Sequence, residues 1–348
     1  MIKKHAHNLV LVVLIAIVSC SEENPSSSQF IIVSNSGTPA NGIVSTYSYP
    51  SKKFEEEAYR FTAGAFRAIV TDAILSENEL YVLKRDDSPG PDKIEVVNTS
   101  TWNASRSANL YLVTTFSRIA TLHDKAFVAG SDFDGDMHLL VFNKSTLVKE
   151  DSLFLRDYVE IRKMIAHDNK LFISYNYIDS NAKLLILNGT NYEELEEFDL
   201  PYNCEDLLVD PDGNVLALHI KGLLKINSST LESTLVEFPE GKVFYGPGGS
   251  SFGYDKKKNT IYYFSYAAQP APALFHLSGF NLSTGLPISI PQEFIDATSI
   301  SFNSSIGQII VGAHHPSLGQ GFVRLYDKQG NVLSDFLVPN SPLEILYK

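Results

Sequence analysis

The chain has 348 residues, 44% of them hydrophobic, and its formal net charge is −12. An acidic chain without a basic cluster is unsuited to nucleic acid, because nucleic-acid binding depends on neutralising phosphates. Cys20 and Cys204 are its only cysteines, so a framework of several disulfides is excluded and a large apolar core must stabilise the fold.

Residues 1–19 have the pattern of a secretory signal peptide. Lys3 and Lys4 precede an apolar run from Leu9 to Val18, which is shorter than the roughly twenty residues of a membrane-spanning helix. The run ends in Ile17-Val18-Ser19-Cys20, which resembles a bacterial lipobox. We therefore expect cleavage before Cys20 and attachment of a lipid anchor to its sulfur. An ordinary signal peptide followed by a chance cysteine is the alternative.

Residues 20–28 are predicted to be a lipidated cysteine and a flexible tether, since SEENPSSS is polar and cannot form a core. The acidic Ser21-Glu22-Glu23 resembles the export signals of lipoproteins on the bacterial surface. We expect a protein anchored in the outer membrane at the cell surface, with the periplasmic face as the alternative. Removal of Lys3 and Lys4 leaves 26 basic and 40 acidic side chains, a net charge of −14.

A repeat of short β-rich segments organises the rest of the chain. The most apolar segments start 50, 46, 45, 44, 46 and 48 residues apart. These starts are Phe30, Leu80, Ala126, Leu171, Val215, Ile261 and Ile309. A period in the mid-forties built from strands is typical of propeller blades, and no helical pattern of comparable length competes with it. Lys52–Arg60, the best local candidate for a helix, falls where the other repeats have an outer strand.

A second apolar run and a polar tetrad follow in most repeats. The second runs, such as Leu139–Phe142 and Leu184–Leu187, are almost continuously apolar, which indicates strands that are covered on both faces. The tetrads begin with Asn or Asp, as in Asn143-Lys144-Ser145-Thr146. Several of them match the glycosylation pattern, but their fixed place in the repeat favours a tight turn.

The predicted fold is therefore an all-β, seven-bladed β-propeller formed by residues 29–348. The first blade lacks an innermost strand, because Phe30 already belongs to the second-strand type. The chain ends with one strand in excess, Ser341–Lys348. We expect this C-terminal strand to complete blade 1 and to close the ring, which removes an exposed sheet edge.

The repeats resemble a known family of propellers. Segments such as LYVLKRDDSPGPDKIEVVNTST look like the YVTN or YncE-type repeat, and the ending FVRLYDKQGNVLSDFLVPNSPLEIL is similar to that of DUF5074-type surface lipoproteins. The resemblance covers nearly all of the mature chain and implies a binding propeller. It also implies a possible partner, a TonB-dependent transporter, and corrinoids as one class of captured nutrient.

The ligand site is predicted at the end of the propeller that carries the long loops. Loops between second and third strands, such as Arg85–Asp92 and Ala313–Gly321, share this end with the crossings between blades. Function concentrates in such loops on a rigid scaffold. The crossings also supply cations and aromatics, which suit a polar ligand with an apolar body. The candidate ligand-binding residues are Arg67, Tyr111, Phe116, Arg118, Tyr158, Arg162, Tyr202, Tyr245 and His314. The alternative is that these residues start inner strands and pack beneath neighbouring blades.

Other motifs favour structural interpretations. Asp132–Asp136 resembles a calcium loop, but its glycine falls one place early, so an acidic surface loop is favoured. His314 and His315 are adjacent and have no identifiable third ligand, and we predict no metal and no cofactor. Cys204 is predicted to be a small, partly buried hydrophobe and not a reactive thiol.

Three functions remain open at this point. The first is a non-enzymatic surface lipoprotein that captures a small molecule. The second is a propeller hydrolase of the lactonase type, although no catalytic constellation can be assembled from the sequence order. The third is a purely structural or adhesive surface protein.

Overall fold

The computed structural model consists of β-strands, and it contains no helix among the residues that it describes. These are residues 28–36, 41–49, 51–61, 68–86, 92–111, 115–157, 159–177, 181–238, 242–243, 252–266, 274–295, 297–315, 320–339 and 342–347. No element of this described part is a helix long and apolar enough to cross a membrane. The predicted all-β class is confirmed.

The strands form seven antiparallel sheets, which are the blades. Blade 1 contains β1 (Ser28–Ser36), β2 (Asn41–Tyr49) and β3 (Lys53–Arg60). Blade 2 contains β4 (Ala68–Ser76), β5 (Glu79–Asp86), β6 (Asp92–Asn98) and β7 (Asn103–Leu110). Blade 3 contains β8 (Thr115–Leu122), β9 (Lys125–Ser131), β10 (Met137–Asn143) and β11 (Lys149–Arg156). Blade 4 contains β12 (Val159–His167), β13 (Lys170–Tyr177), β14 (Ala182–Asn188) and β15 (Glu194–Leu200).

The remaining blades follow the same order. Blade 5 contains β16 (Cys204–Val209), β17 (Asn214–His219), β18 (Gly222–Asn227) and β19 (Ser233–Glu237). Blade 6 contains β20 (Lys242–Val243), β21 (Phe252–Asp255), β22 (Thr260–Tyr266), β23 (Leu274–Asn281) and β24 (Leu286–Ile295). Blade 7 contains β25 (Ala297–Asn303), β26 (Gln308–His315), β27 (Gln320–Tyr326) and β28 (Val332–Val338). The last strand is β29 (Pro342–Tyr347).

The C-terminal strand closes the ring as predicted. Strand β29 pairs antiparallel with β1, and the sheet order of blade 1 is β29-β1-β2-β3. Strand β29 also contacts β25 of blade 7 and β4 of blade 2, so it occupies the innermost place. The segment Lys53–Arg60 is the outer strand β3, as the repeat predicts.

The core lies between the blades. Seven clusters of buried side chains occur among the described residues, and each joins two neighbouring blades. The cluster between blades 4 and 5, for example, places Phe172 and Leu184 against Val215 and Ala217. Middle strands such as Ala182–Asn188 are buried on both faces, which explains their nearly continuous apolar sequences.

The Asn-led tetrads are tight turns, as predicted. The Asn143 Oδ1 accepts hydrogen bonds from the backbone N–H groups of Ser145 and Thr146, both at 3.1 Å. Leu147 then adopts a φ of 55° and donates its N–H to the Asn143 carbonyl at 2.8 Å. The same side-chain bonds recur at Asn98, Asn188, Asn227, Asn281 and Asp327. Asn or Asp therefore stabilises the turn in these six blades.

Candidate functional site in the propeller channel

Bulges interrupt the innermost strands at a common level. Among the described residues, β4, β8, β12, β16, β25 and β29 each carry an irregularity near their first residues. This is the end of the blade where the chain arrives from the preceding blade. A bulge redirects the side chains around it, and here it occurs where the inner strands line the central channel.

The residue after the bulge is charged in five of these six strands. The five residues are Asp72, Arg118, Lys163, Asp206 and Glu344, and they form what we call the channel cluster. They come from blades 2, 3, 4, 5 and 1, whereas blade 7 has Ser299 at this place. Inner strands of five blades therefore bring charges of both signs to one level of the channel.

Lys163 lies within the electrostatic influence of the whole channel cluster. Burial alone would lower the pKa of Lys163, but Asp206, Glu344 and Asp72 raise it above its usual value, while Arg118 opposes them. Glu344 belongs to blade 1 and Lys163 to blade 4, which lie on opposite sides of a seven-bladed ring. An interaction between them crosses the channel, so the cluster converges on its centre.

Hydrogen bonds between neighbouring inner strands hold the cluster in place. The Arg118 Nε donates to the backbone carbonyl of Arg162 at 2.6 Å. The Asp72 Oδ2 accepts from the backbone N–H of Ile119 at 2.8 Å. The Lys163 Nζ lies 4.0 Å from the Asp206 Oδ1. Such fixed charges can orient a bound polar molecule with little rearrangement.

Arg162 and Glu205 occupy the bulges of β12 and β16. The Arg162 Nη1 binds the Glu160 Oε1 at 2.8 Å, and its Nη2 lies 3.9 Å from the Glu205 Oε2. Glu205 is only 4% exposed, and burial raises its pKa to about 7 against the opposing effects of Arg162 and Lys163. A carboxyl group in this range changes protonation near neutral pH.

His219 and Cys204 lie opposite each other on β17 and β16. Burial lowers the pKa of His219 to about 4, so its imidazole is neutral near pH 7. Its Nδ1 accepts the backbone N–H of Lys221 at 3.2 Å, which leaves the proton on Nε2. Cys204 is buried, and burial raises the pKa of its thiol to about 12. The prediction of a thiol that is not reactive is thus supported, although a histidine lies beside it in space.

Two of the predicted ligand-binding residues lie together in the channel. Arg118 and Arg162 are joined by the hydrogen bond described above, but they belong to strands β8 and β12 and not to crossings as expected. A bulge in fact continues each strand through these residues.

The other predicted residues are spread over the long-loop end or lie outside the described residues. Tyr111 is 74% exposed in the crossing from blade 2 to blade 3, and its hydroxyl accepts a bond from Asn109. Tyr202 is half-buried in the crossing to blade 5, with its ring 5.4 Å from that of His219. His314, predicted in a loop, is in strand β26. Arg67, Tyr158, Tyr245, Cys20 and the side chain of Phe116 lie outside the described residues.

Sequence reasoning missed the acidic half of the site. No functional role is predicted from the sequence for the acidic residues of the inner strands, which are Asp72, Glu205, Asp206 and Glu344. A periodic signal was present, however, because Asp72, Arg118 and Lys163 each precede the apolar start of the next strand by eight residues. Aligning the repeats on that start would have placed these three charges at one level.

Local hydrogen bonds account for the conformation of the acidic loop Asp132–Asp136. The Asp132 Oδ1 accepts from the backbone N–H groups of Asp134 and Asp136, and its Oδ2 contacts the His138 Nε2 at 3.0 Å. Within the described ranges, no group of three or more His, Cys, Asp and Glu side chains is arranged to hold a metal ion.

Comparison with known proteins agrees with this architecture. A family model described as a domain of unknown function, DUF5074, matches residues 29–310. No protein with a curated description matches the chain.

Solved structures with the same fold are distant in sequence. A quinonprotein alcohol dehydrogenase-like protein from Bacteroides thetaiotaomicron is 17% identical, with a TM-score of 0.63, over 92% of this chain and 78% of its own. The periplasmic gluconolactonase of Pseudomonas aeruginosa is 10% identical, with a TM-score of 0.65, over 92% and 99%. A protein from Lactobacillus plantarum is 11% identical, with a TM-score of 0.65, over 92% and 99%. These likenesses establish the β-propeller fold alone.

Proposed function

This chain belongs to the DUF5074 family, and from that premise we propose that it is a binding propeller which captures a small polar molecule in its channel. The single observation that carries the proposal is the convergence of Asp72, Arg118, Lys163, Asp206 and Glu344 from five blades. Burying charges is costly, and groups of interacting charges concentrate at functional sites. A converging group of both signs is better suited to a ligand.

The mixture of charges limits the class of ligand. A simple anion near Lys163 and Arg118 meets Asp206 and Glu344, whereas a simple cation meets both basic side chains. A molecule that carries an anionic group and a donor or cationic group can satisfy both halves. We therefore propose a zwitterion or a polar molecule with mixed groups as the ligand class.

The cellular part of the proposal comes from the sequence. The lipobox-like Cys20 and the acidic residues after it support an anchored lipoprotein on the outer surface. A capture module so placed would deliver its ligand to an outer-membrane importer of the TonB-dependent class. Corrinoid capture stays a prediction from the family resemblance.

A matched set of variants tests the binding site. We expect a small polar molecule to co-purify with the protein from its own cells, and we expect Arg118→Met with Lys163→Met to reduce its retention at least about ten-fold. Native mass spectrometry of the purified protein measures this retention. Methionine keeps the aliphatic length and removes the charge.

Two variants outside the channel serve as controls. Arg156→Ala removes an arginine bound to Glu194 and Glu197 on outer strands, and Asn143→Asp alters a turn at the opposite end. Both should retain the molecule. If the Arg118→Met, Lys163→Met protein retains the molecule and either control variant loses it, the binding site lies outside the channel.

A propeller hydrolase of the lactonase type is the second candidate, and one observation favours it. Glu205 is buried, and burial raises its pKa to about 7, which suits a general acid or base at neutral pH. Hydrolysis of a simple δ-lactone by the parent protein, abolished in Glu205→Gln, would favour this candidate over capture alone.

A further inference from the structure

A polar notch between blades 4 and 5 has features that the channel cluster does not explain. On β13, Phe172 faces blade 5, whereas Ile173 and Tyr175 face blade 3. Side chains alternate along a strand, so Asn176 faces blade 5 as Phe172 does. On β17, Val215 and Ala217 face blade 4, so His219 also faces blade 4. Asn176 and His219 therefore enter the same interface from its two sides.

Glu205 belongs to the same notch. It directly follows Cys204, which pairs with His219 across the sheet. Its Oε2 lies 3.9 Å from the Nη2 of Arg162, and Arg162 is bound to Glu160, the cross-strand partner of Asn176. Contacts therefore run from Asn176 through blade 4 to Glu205.

Three polar atoms of this notch are buried without a hydrogen-bond partner among the described residues. They are the Asn176 Oδ1, the Glu205 Oε2 and the His219 Nε2. Their residues are 7%, 4% and 2% exposed. Burying such an atom costs free energy because it loses its hydrogen bonds to water. Three of them at one interface indicate side chains that hydrogen-bond a ligand.

Of these three atoms, one is a hydrogen-bond donor and two are acceptors. The His219 Nδ1 accepts from Lys221, so the neutral ring carries its proton on Nε2 and can only donate there. The Asn176 Oδ1 can only accept, and so can the Glu205 Oε2 above about pH 7, where the carboxyl group is ionised. A primary carboxamide is the complement, because its carbonyl accepts one bond and its NH₂ donates two.

We propose that this notch is a subsite for a primary carboxamide, uncovered by movement of Tyr202. The half-buried ring of Tyr202 lies 5.4 Å from the ring of His219, and the Lys221 Nζ lies 4.9 Å from its centroid. Tyr202 is in the crossing between the two blades, at the long-loop end. In this proposal, rotation of the Tyr202 side chain opens the path by which a ligand reaches His219. The inference rests on the proposed function, since the carboxamide would belong to the ligand of the channel cluster.

Acetamide is the probe, and ¹⁵N-histidine NMR of the mature protein is the measurement. We expect acetamide to shift the His219 Nε2 resonance saturably, with the resonance assigned by its loss in His219→Phe. N,N-Dimethylacetamide has no N–H group and acetate has none either, so neither should reproduce the shift. Tyr202→Ala should strengthen the acetamide effect, because no ring has to be displaced.

Asn176→Leu provides the second variant. It should weaken acetamide binding at least about ten-fold and leave the melting temperature equal to or above that of the parent, because it removes an unpaired buried polar group. A lower melting temperature with unchanged acetamide binding would show that Asn176 is structural.

The proposal is overturned if neither the parent nor Tyr202→Ala shows a saturable shift, or if the dimethyl analogue acts like acetamide. This outcome is distinct from failure of the proposed function. Arg118→Met with Lys163→Met removes charge from the channel cluster and leaves Asn176, Glu205 and His219 in place. Acetamide should still bind that variant, whatever becomes of the co-purifying molecule.

Discussion

Glu205 has surroundings unlike those of an ordinary surface carboxylate. It occupies a bulge, its Oε2 has no hydrogen-bond partner among the described residues, and burial raises its pKa to about 7. In the unfolded chain the same group titrates near 4.5. Near neutral pH the folded protein therefore binds this proton more strongly than the unfolded chain does.

This difference predicts that ionisation of Glu205 lowers the free energy of unfolding as pH rises, and that Glu205→Gln removes this effect. The raised pKa means that the parent loses stability relative to the variant as pH rises from about 4.5 to about 7, by about 3 kcal/mol in total. Denaturant unfolding of both proteins between pH 4 and pH 8 measures the difference. Parallel stability curves would show that Glu205 has the same pKa in the folded and the unfolded protein.

His219 acts in the opposite direction, which is why the variant comparison is needed. Its pKa is lowered to about 4, so its contribution to stability is present above about pH 6.5 and is lost as pH falls towards 4. The two contributions offset each other in the parent between about pH 4.5 and 6.5. Subtracting the stability curve of Glu205→Gln from that of the parent isolates the contribution of the Glu205 carboxyl group to the free energy of unfolding.

At the scale of single elements, β29 is the strand on which closure depends. Ile345 is buried between blades 7 and 1, and Leu343 and Leu346 pack against the core between blades 1 and 2. Strand β29 also hydrogen-bonds β1 from Phe30 to Ser34. Its removal uncovers a strand edge and two apolar interfaces at once.

Deletion of residues 342–348 should therefore abolish cooperative unfolding or cause aggregation. Glu344 of the channel cluster is lost with it, so binding should disappear as well. Deletion of residues 21–27, which precede β1, should leave the melting temperature unchanged. Calorimetry of both truncated proteins checks this. A β29 deletion that melts like the parent is incompatible with this closure.

The bulges in the inner strands determine where the charged side chains of the channel cluster lie. Each adds a residue near the start of a strand, as Arg162 does in β12 and Glu205 in β16. Without the extra residue, the alternation of the strand would place the following side chains on the other face. The charges at Lys163 and Asp206 therefore depend on a backbone irregularity.

At the scale of the whole molecule, the propeller presents an acidic body and a channel of mixed charge. The mature chain would carry a net charge of −14 once Lys3 and Lys4 are removed, which disfavours adsorption to anionic lipid. A covalent anchor at Cys20 would then be the means of membrane attachment. This remains a prediction from the sequence.

Cys20→Ala tests the anchor. The variant should move from the membrane fraction to the soluble fraction of cells, while its melting temperature stays that of the parent, because residue 20 precedes the first blade. Fractionation followed by immunoblotting measures the distribution. Ser21→Ala is the matched control and should remain in the membrane. Membrane retention of the Cys20→Ala protein would contradict the anchor.

The sequence alone determined the seven blades, the turns and the closing strand, since each depends on a local pattern. Apolar runs such as Leu171–Ser174 recur at a nearly constant period, and Asn143 and its equivalents hydrogen-bond their own turns. A periodic local preference is visible in one chain, because each blade repeats the same physical requirement. It also identified Arg118 and Arg162 as residues of one region.

Only the tertiary structure decided which charges meet. Asp72 and Glu344 are 272 positions apart, and both act on Lys163 only because the ring closes. The notch of Asn176, Glu205 and His219 likewise depends on the faces that two strands turn towards each other. A bulge changes these faces by one residue, and the alternation of residues along one strand does not reveal the bulge until the strands are paired.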